Sequence, residues 1–355
     1  MKRILTLVSA LLAALLLPAS PAHASMGAGT FTQYNDQPLP YFVYQPPSYT
    51  GSASVPLVVY LHGCEQDATQ AAIGTRWNEE ADAHGFMVVY PQQLSGFSGP
   101  FTTGNANQCW NFYDPVEVGS RTSGEPSQIA AITHEVMSKW NIDARRVYIV
   151  GVSGGGAEAN VMSVLFPDLY AAAGVLAGCP YAACTDDSGT VAWGTWQRLG
   201  ITPRQVPAFV EGSVSDPVTV WPLSAGSVEQ YLGMDDYADD GLANGSVSRQ
   251  VASTTNYGFN QTPQPGTGDA CLPTSYTTPL QKVPCPGGIV GFQGTYPYTV
   301  QTFNDQHGQE ILEFWSIYGA SHAYVGGDPA GSFTDPLGPN VTHGAWTFLS
   351  AHAMP

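Results

Sequence analysis

Apolar positions fall along this chain in two rhythms. Residues 56–61, 86–90, 146–152, 170–178 and 206–210 are short runs of almost wholly apolar or small residues. Such runs predict strands covered on both faces, as in a parallel sheet. Between them the apolar residues recur at helical spacing. Residues 77–84 read as one helix. Pro126 opens another, with Ile129, Ile132, Val136 and Trp140 on one face. Residues 157–165 and 224–233 read as two more. Tyr41 to Tyr44 reads as an early strand ended by Pro46-Pro47, Asn141-Ile142-Asp143 as a turn, and 311–318 as a late alternating strand. Strands alternating with helices predict right-handed crossovers and a mainly parallel sheet.

The strand at 146–152 runs into Gly151-Val152-Ser153-Gly154-Gly155 and then into a helix. A glycine turn with a central Ser between strand and helix is the nucleophile elbow G-x-S-x-G. It lifts the Ser153 hydroxyl off the sheet and aims the Gly154 N–H at any anion forming there. Ser is a poor nucleophile alone; it needs a base, and the base needs an orienting carboxylate. Asp216 follows the strand at 206–210, and His322 follows the strand at 311–318, which completes the order Ser, Asp, His. Glu211, Asp187 and the acids at 235–240 are the other candidates for the acid. His134 falls in a helix, His307 in a polar turn, and His343 and His352 in a closing helix. The strand at 56–61 ends in His62-Gly63-Cys64, so the backbone N–H of Cys64 is expected to be the second oxyanion donor, with His62 bracing the loop.

These features place the chain in the α/β class: an α/β-hydrolase fold with a mainly parallel central sheet flanked by helices and loop insertions around the active site. The insertions are expected near 181–205, as a loop or short helices carrying Trp193 and Trp196, and near 235–300. Asp235, Asp236, Asp239 and Asp240 lack the alternating spacing of a calcium loop and read as a solvated turn. One catalytic domain is expected over 25–355, with no separate substrate-binding module.

Composition adds the setting. Met1-Lys2-Arg3, an apolar run over 4–17 and Ala22-His23-Ala24 predict a signal peptide over 1–24, and hence a secreted, extracellular protein. The run is too short to favour a membrane span. Asp and Glu outnumber Lys and Arg by 28 to 11. This argues against nucleic acid or an anionic membrane as partner, because phosphate binding needs Lys and Arg. The expected partner is an ester or polyester substrate, and the expected state a monomer. Six cysteines, Cys64, Cys109, Cys179, Cys184, Cys271 and Cys285, suit disulfides in an exported chain. Six allow about fifteen pairings; Cys179 with Cys184 and Cys271 with Cys285 would close short loops and leave Cys64 with Cys109. None has C-x-x-C spacing or a His partner, so no metal and no cofactor are expected.

At these residues the sequence resembles the secreted poly(3-hydroxybutyrate) depolymerases and their feruloyl and acetylxylan esterase relatives. The resemblance rests on Leu61-His62-Gly63-Cys64, Cys109-Trp110-Asn111-Phe112, the elbow, Asp216, and Gly319-Ala320-Ser321-His322-Ala323-Tyr324. It implies a serine esterase acting on hydroxybutyrate-type polyesters or oligomers, or alternatively on feruloyl or acetylxylan groups. It also implies a Cys64–Cys109 disulfide that stiffens the oxyanion donor, and substrate contacts from Trp110 and Tyr324. The aromatics Trp193, Trp196 and Trp221 could line the same cleft. Three positions depart from the family pattern: Glu211-Gly212 stands near the usual His-Gly, Ser321 replaces a Gly, and Tyr324 replaces a Trp.

Overall fold

The computed structural model describes residues 26–96, 107–258 and 296–355. The expected signal peptide over 1–24, and Cys271 and Cys285, lie outside these residues. The chain begins with β1 (Thr30–Tyr34) and β2 (Tyr41–Gln45). It continues through β3 (Val55–Leu61), α1 (Ala68–Thr75), α2 (Trp77–His84), β4 (Met87–Pro91), α3 (Gly124–Lys139), β5 (Ile142–Val152), α4 (Gly154–Leu165) and β6 (Ala172–Leu176). Then come α5 (Tyr181–Cys184), α6 (Thr190–Leu199), β7 (Ala208–Ser213), α7 (Trp221–Asp240), β8 (Ser253–Tyr257), β9 (Tyr298–Asn304) and β10 (Glu310–Ile317). The small pair β11 (Tyr324–Val325) and β12 (Thr334–Asp335) precedes α8 (Val341–Ser350).

Ten strands form one sheet in the order β1-β2-β4-β3-β5-β6-β7-β10-β9-β8. The run from β4 to β10 is parallel, and both edges are antiparallel. The apolar runs are continuous because the sheet is covered on both sides. Along β3, Leu57, Val59 and Leu61 face a core shared with Ile129, Met162, Trp196 and Leu232. Val58 and Tyr60 face the opposite core, with Trp77, Tyr148 and Trp346. So α3, α4, α6 and α7 cover one face, and α1, α2 and α8 the other. Every residue of α4 is buried. Among the described residues, no helix is long and apolar enough to cross a membrane.

Several expectations are corrected. β5 starts at Ile142, inside the stretch read as a turn. β1 was not anticipated; it is an edge strand with no fully buried position. Residues 235–240 are no solvated turn. They are the last turns of α7, which runs from Trp221, and Asp235 is buried there, accepting from the Val206 N–H at 2.7 Å. Within the expected insertion at 235–300, β8 and β9 extend the central sheet. They pair antiparallel, with Tyr257 opposite Tyr298. His352 lies beyond the end of α8. Residues 181–205 form α5 and α6, and α6 packs as a covering helix, with Trp196 Nε1–H donating to the Val164 carbonyl.

Candidate active site

The strand-to-helix turn at the end of β5 fixes the first group. Ser153 takes φ 56° and ψ −121°, a conformation disfavoured for any side chain. Two glycines make it possible. A Cβ on Gly151 would lie 2.1 Å from the Gly155 carbonyl oxygen, and one on Gly155 would lie 2.2 Å from that of Leu61. The Ser153 N–H donates to the Leu176 carbonyl at 2.9 Å, tying the turn to β6. Gly154, the first residue of α4, keeps its N–H outside the helix's own bonding.

The two partner groups come from loops after β7 and β10. His322 Nε2 lies 2.8 Å from Ser153 Oγ, and its Nδ1 lies 2.7 Å from Asp216 Oδ2. The other Asp216 oxygen accepts the N–H groups of Val218 at 2.7 Å and Thr219 at 2.9 Å. That leaves one carboxylate oxygen aimed at the imidazole. The His322 loop is braced to β7, because Ser213 Oγ donates to the carbonyl of Ala320. The structure thus brings Ser153, His322 and Asp216 into one hydrogen-bonded line. Among the rival histidines, His343 pairs with Glu80, and His307 and His134 are exposed. Among the rival acids, Glu211 is buried beside Asp216, and burial, reinforced by the Asp216 charge, pushes its carboxyl up to about 8. Asp187 precedes α6 and is absent from the site.

Opposite the turn lies the loop after β3. A disulfide joins Cys64 to Cys109, and a second joins Cys179 to Cys184. The first packs directly on the elbow: a Cβ on Gly154 would lie 2.6 Å from Cys64 Sγ. His62 is fully enclosed and its imidazole is pushed down to about 4 by burial. Its Nε2 accepts the Gln93 N–H at 3.0 Å, so the proton sits on Nδ1, 2.8 Å from the Gly63 carbonyl. His62 is a brace, as its sequence context indicates.

Trp110 requires correction. It is fully buried, its Nε1–H donating to the His62 carbonyl at 2.9 Å, so it supports the Cys64 loop and meets no substrate. Trp196 and Trp221 are likewise core residues, and the Trp193 ring packs tilted against Tyr237 with centroids 4.5 Å apart. Tyr324 borders the cavity but is only 2% exposed, with its hydroxyl bonded to Thr342 Oγ1 at 2.6 Å. It supplies floor, not a polar contact.

Sequence reasoning missed two supports. Glu125, buried in the first turn of α3, accepts the backbone N–H of Asn111 at 2.7 Å, Asn111 Nδ2 at 2.7 Å and Gln93 Nε2 at 2.5 Å. It anchors the segment that carries Cys109. Gln66 accepts the Gly63 N–H at 2.9 Å and donates to the Ser332 carbonyl at 2.7 Å, joining the Cys64 loop to the far wall. Neither residue belongs to a motif; only its burial beside polar backbone marks it. Together these groups border a cavity of about 290 Å³ with Ser153 and His322 in its wall, and Val218 and Phe333 at its apolar side.

The comparisons agree with this architecture. The family described as Esterase PHB depolymerase matches residues 39–256, which include Cys64, Ser153 and Asp216. The chain is 32% identical over 224 residues to Poly(3-hydroxyalkanoate) depolymerase C of Paucimonas lemoignei, covering 59% of this chain and 47% of that protein. It is 30% identical over 161 residues to Feruloyl esterase B of Neurospora crassa, covering 44% of this chain and 52% of that one. It thus spans about half the length of the curated relatives it matches. The solved acetyl xylan esterase from Aspergillus awamori has the same fold, with a TM-score of 0.56 over 83% of this chain and 94% of that chain at 16% identity. On the family match, which covers more than half of its residues, the chain belongs to the Esterase PHB depolymerase family.

Proposed function

We propose that this chain is a secreted serine esterase that hydrolyses hydroxybutyrate-type polyesters or their oligomers. The observation that carries the proposal is His322, held between Ser153 and Asp216 at 2.8 Å and 2.7 Å in the wall of an apolar cavity. Ser153 Oγ attacks the ester carbonyl carbon while His322 Nε2 takes its proton. Asp216 holds the imidazole with Nδ1–H toward itself and stabilises the imidazolium. The tetrahedral oxyanion meets the N–H groups of Gly154 and Cys64, and each such donor contributes roughly 2.7–4 kcal/mol. His322 then protonates the departing alcohol oxygen, leaving an acyl group on Ser153. Water attacks that acyl-enzyme with its proton passing to His322, and the acid leaves as Ser153 regains its proton.

Val218, Ala323 and Phe333 offer a flexible acyl chain an apolar surface with little hydrogen bonding. This favours an aliphatic hydroxyacid unit. The second reading, a feruloyl or acetylxylan esterase, has support from the identity to Feruloyl esterase B and from 31% identity over 157 residues to Acetylxylan esterase A of Emericella nidulans. The deciding experiment is clearing of a poly(3-hydroxybutyrate) suspension, beside methyl ferulate, acetylated xylan and a short p-nitrophenyl ester. Wild type is expected to clear the suspension, and Ser153→Ala to lose turnover by roughly 10⁶-fold. Cleavage of ferulate or xylan acetate without clearing selects the second reading. Undiminished ester hydrolysis by Ser153→Ala sinks both.

A further inference from the structure

Away from the cavity, on the face covered by α2 and α8, three chemically matched side chains converge. Glu80 and His84 stand one helical turn apart on α2, where such spacing puts two side chains on one face. His343 reaches them from the first turn of α8. One carboxylate oxygen, Glu80 Oε1, lies 3.0 Å from His84 Nε2 and 2.8 Å from His343 Nδ1. The three donor atoms lie within 4.8 Å of one another. We propose that Glu80, His84 and His343 form a binding site for a divalent cation of the zinc class, which fastens α2 to α8.

The donor set selects the ion. Two imidazole nitrogens and one carboxylate oxygen suit Zn²⁺, and also Ni²⁺ and Cu²⁺; Ca²⁺ and Mg²⁺ require oxygen ligands in greater number. The geometry is close to what is needed. Bonds of about 2.0–2.2 Å place tetrahedral donors roughly 3.3–3.6 Å apart, so Glu80 Oε1 must draw back a little from each imidazole nitrogen to admit the ion. The base of the site is firm. The Glu80 side chain is only 11% exposed, and the Trp346 ring, stacked on Phe86 at 3.9 Å, lies 5.9 Å from the His84 ring. The mouth is open, with the His84 and His343 side chains 39% and 57% exposed, which leaves the fourth position to water. A bound ion would cross-link α2, which lies early in the chain, to the last helix. None of its ligands borders the cavity that holds Ser153.

The test uses the full-length protein, stripped with a chelator and titrated with ZnCl₂ at neutral pH, followed by calorimetry and by thermal unfolding. The expected result is one zinc per chain, and a melting temperature that climbs with zinc and returns with EDTA, while Mg²⁺ and Ca²⁺ at equal concentration shift nothing. His343→Ala, an exposed substitution, should fold normally, weaken zinc binding at least tenfold and erase the zinc-dependent shift. Its hydrolysis of a short ester should equal that of the wild type. Glu80→Gln should weaken binding in the same sense. Absence of stoichiometric binding, or undiminished binding by His343→Ala, overturns the proposal.

Discussion

Glu211 lies within β7, inside the electrostatic reach of Asp216 and buried from water. Burial first, and the Asp216 charge second, lift its carboxyl from 4.5 to about 8. A raised acid binds its proton more tightly folded than unfolded. Its contribution to stability is therefore complete below pH 4.5 and is lost as pH rises toward 8. Glu211→Gln should remove that slope: thermal melts from acid to mildly alkaline pH should show the variant gaining on wild type as pH rises from 4.5 to about 8, with no further gain beyond. Asp216 acts differently. Asp216→Asn keeps the shape but presents an N–H or a carbonyl where the imidazole needs an anion, and should lower kcat by about 10⁴-fold with little change in the melt. Steady-state kinetics on a short ester, beside a melting curve, separates the two effects. The hydrogen-bonded line of Ser153, His322 and Asp216 was legible from order along the chain, because each of the three follows a strand. Aromatic residues were not. Trp110 sits in a motif, yet its indole N–H closes a backbone carbonyl inside the core, and no spacing rule distinguishes that from a cleft wall.

Among the elements, the loop after β3 is tied to the segment before α3 by the Cys64–Cys109 disulfide, over a sequence separation of 45 residues, and that disulfide packs on the turn before α4. Replacing both cysteines by Ser should cost about 4 kcal/mol by loop entropy. It should lower kcat more than it raises KM, since the Cys64 N–H, the proposed oxyanion donor, loosens while the cavity wall persists. Denaturant melts and kinetics with and without the disulfide read both quantities. Gly155→Ala should do more harm, because its methyl group has no space against the Leu61 carbonyl and the elbow must distort. The interior strands were legible because they are covered on both faces and carry no polar interruption. The edges were not. β1 and β8 are mostly exposed, so their residues TFTQY and STTNY show no apolar rhythm. The acids ending α7 misled for the opposite reason: Asp235 looks like surface, yet its carboxylate is drawn inside by the Val206 N–H.

Taken as one body, the protein carries a formal net charge of −17. Like charges packed into one globule repel, and salt screens them over about 8 Å at physiological ionic strength. Raising NaCl should therefore raise the melting temperature; a gain of about 1 kcal/mol corresponds to about 2–4 °C at this order of size. A salt series in a thermal-shift assay checks it, and a flat response would place the acids in locally neutralised groups. The same molecule has an unusual point of attachment. Tyr257, at the end of β8, and Tyr298, at the start of β9, face each other with stacked rings 4.6 Å apart, at the end of the sheet where the His322 loop emerges. A strand pair closed below such a junction accepts sequence of almost any length, since each doubling of a loop costs only about 0.6 kcal/mol. The β8–β9 pair is thus a socket, into which evolution or an engineer can splice a new segment while Ser153, Asp216 and His322 keep their mountings.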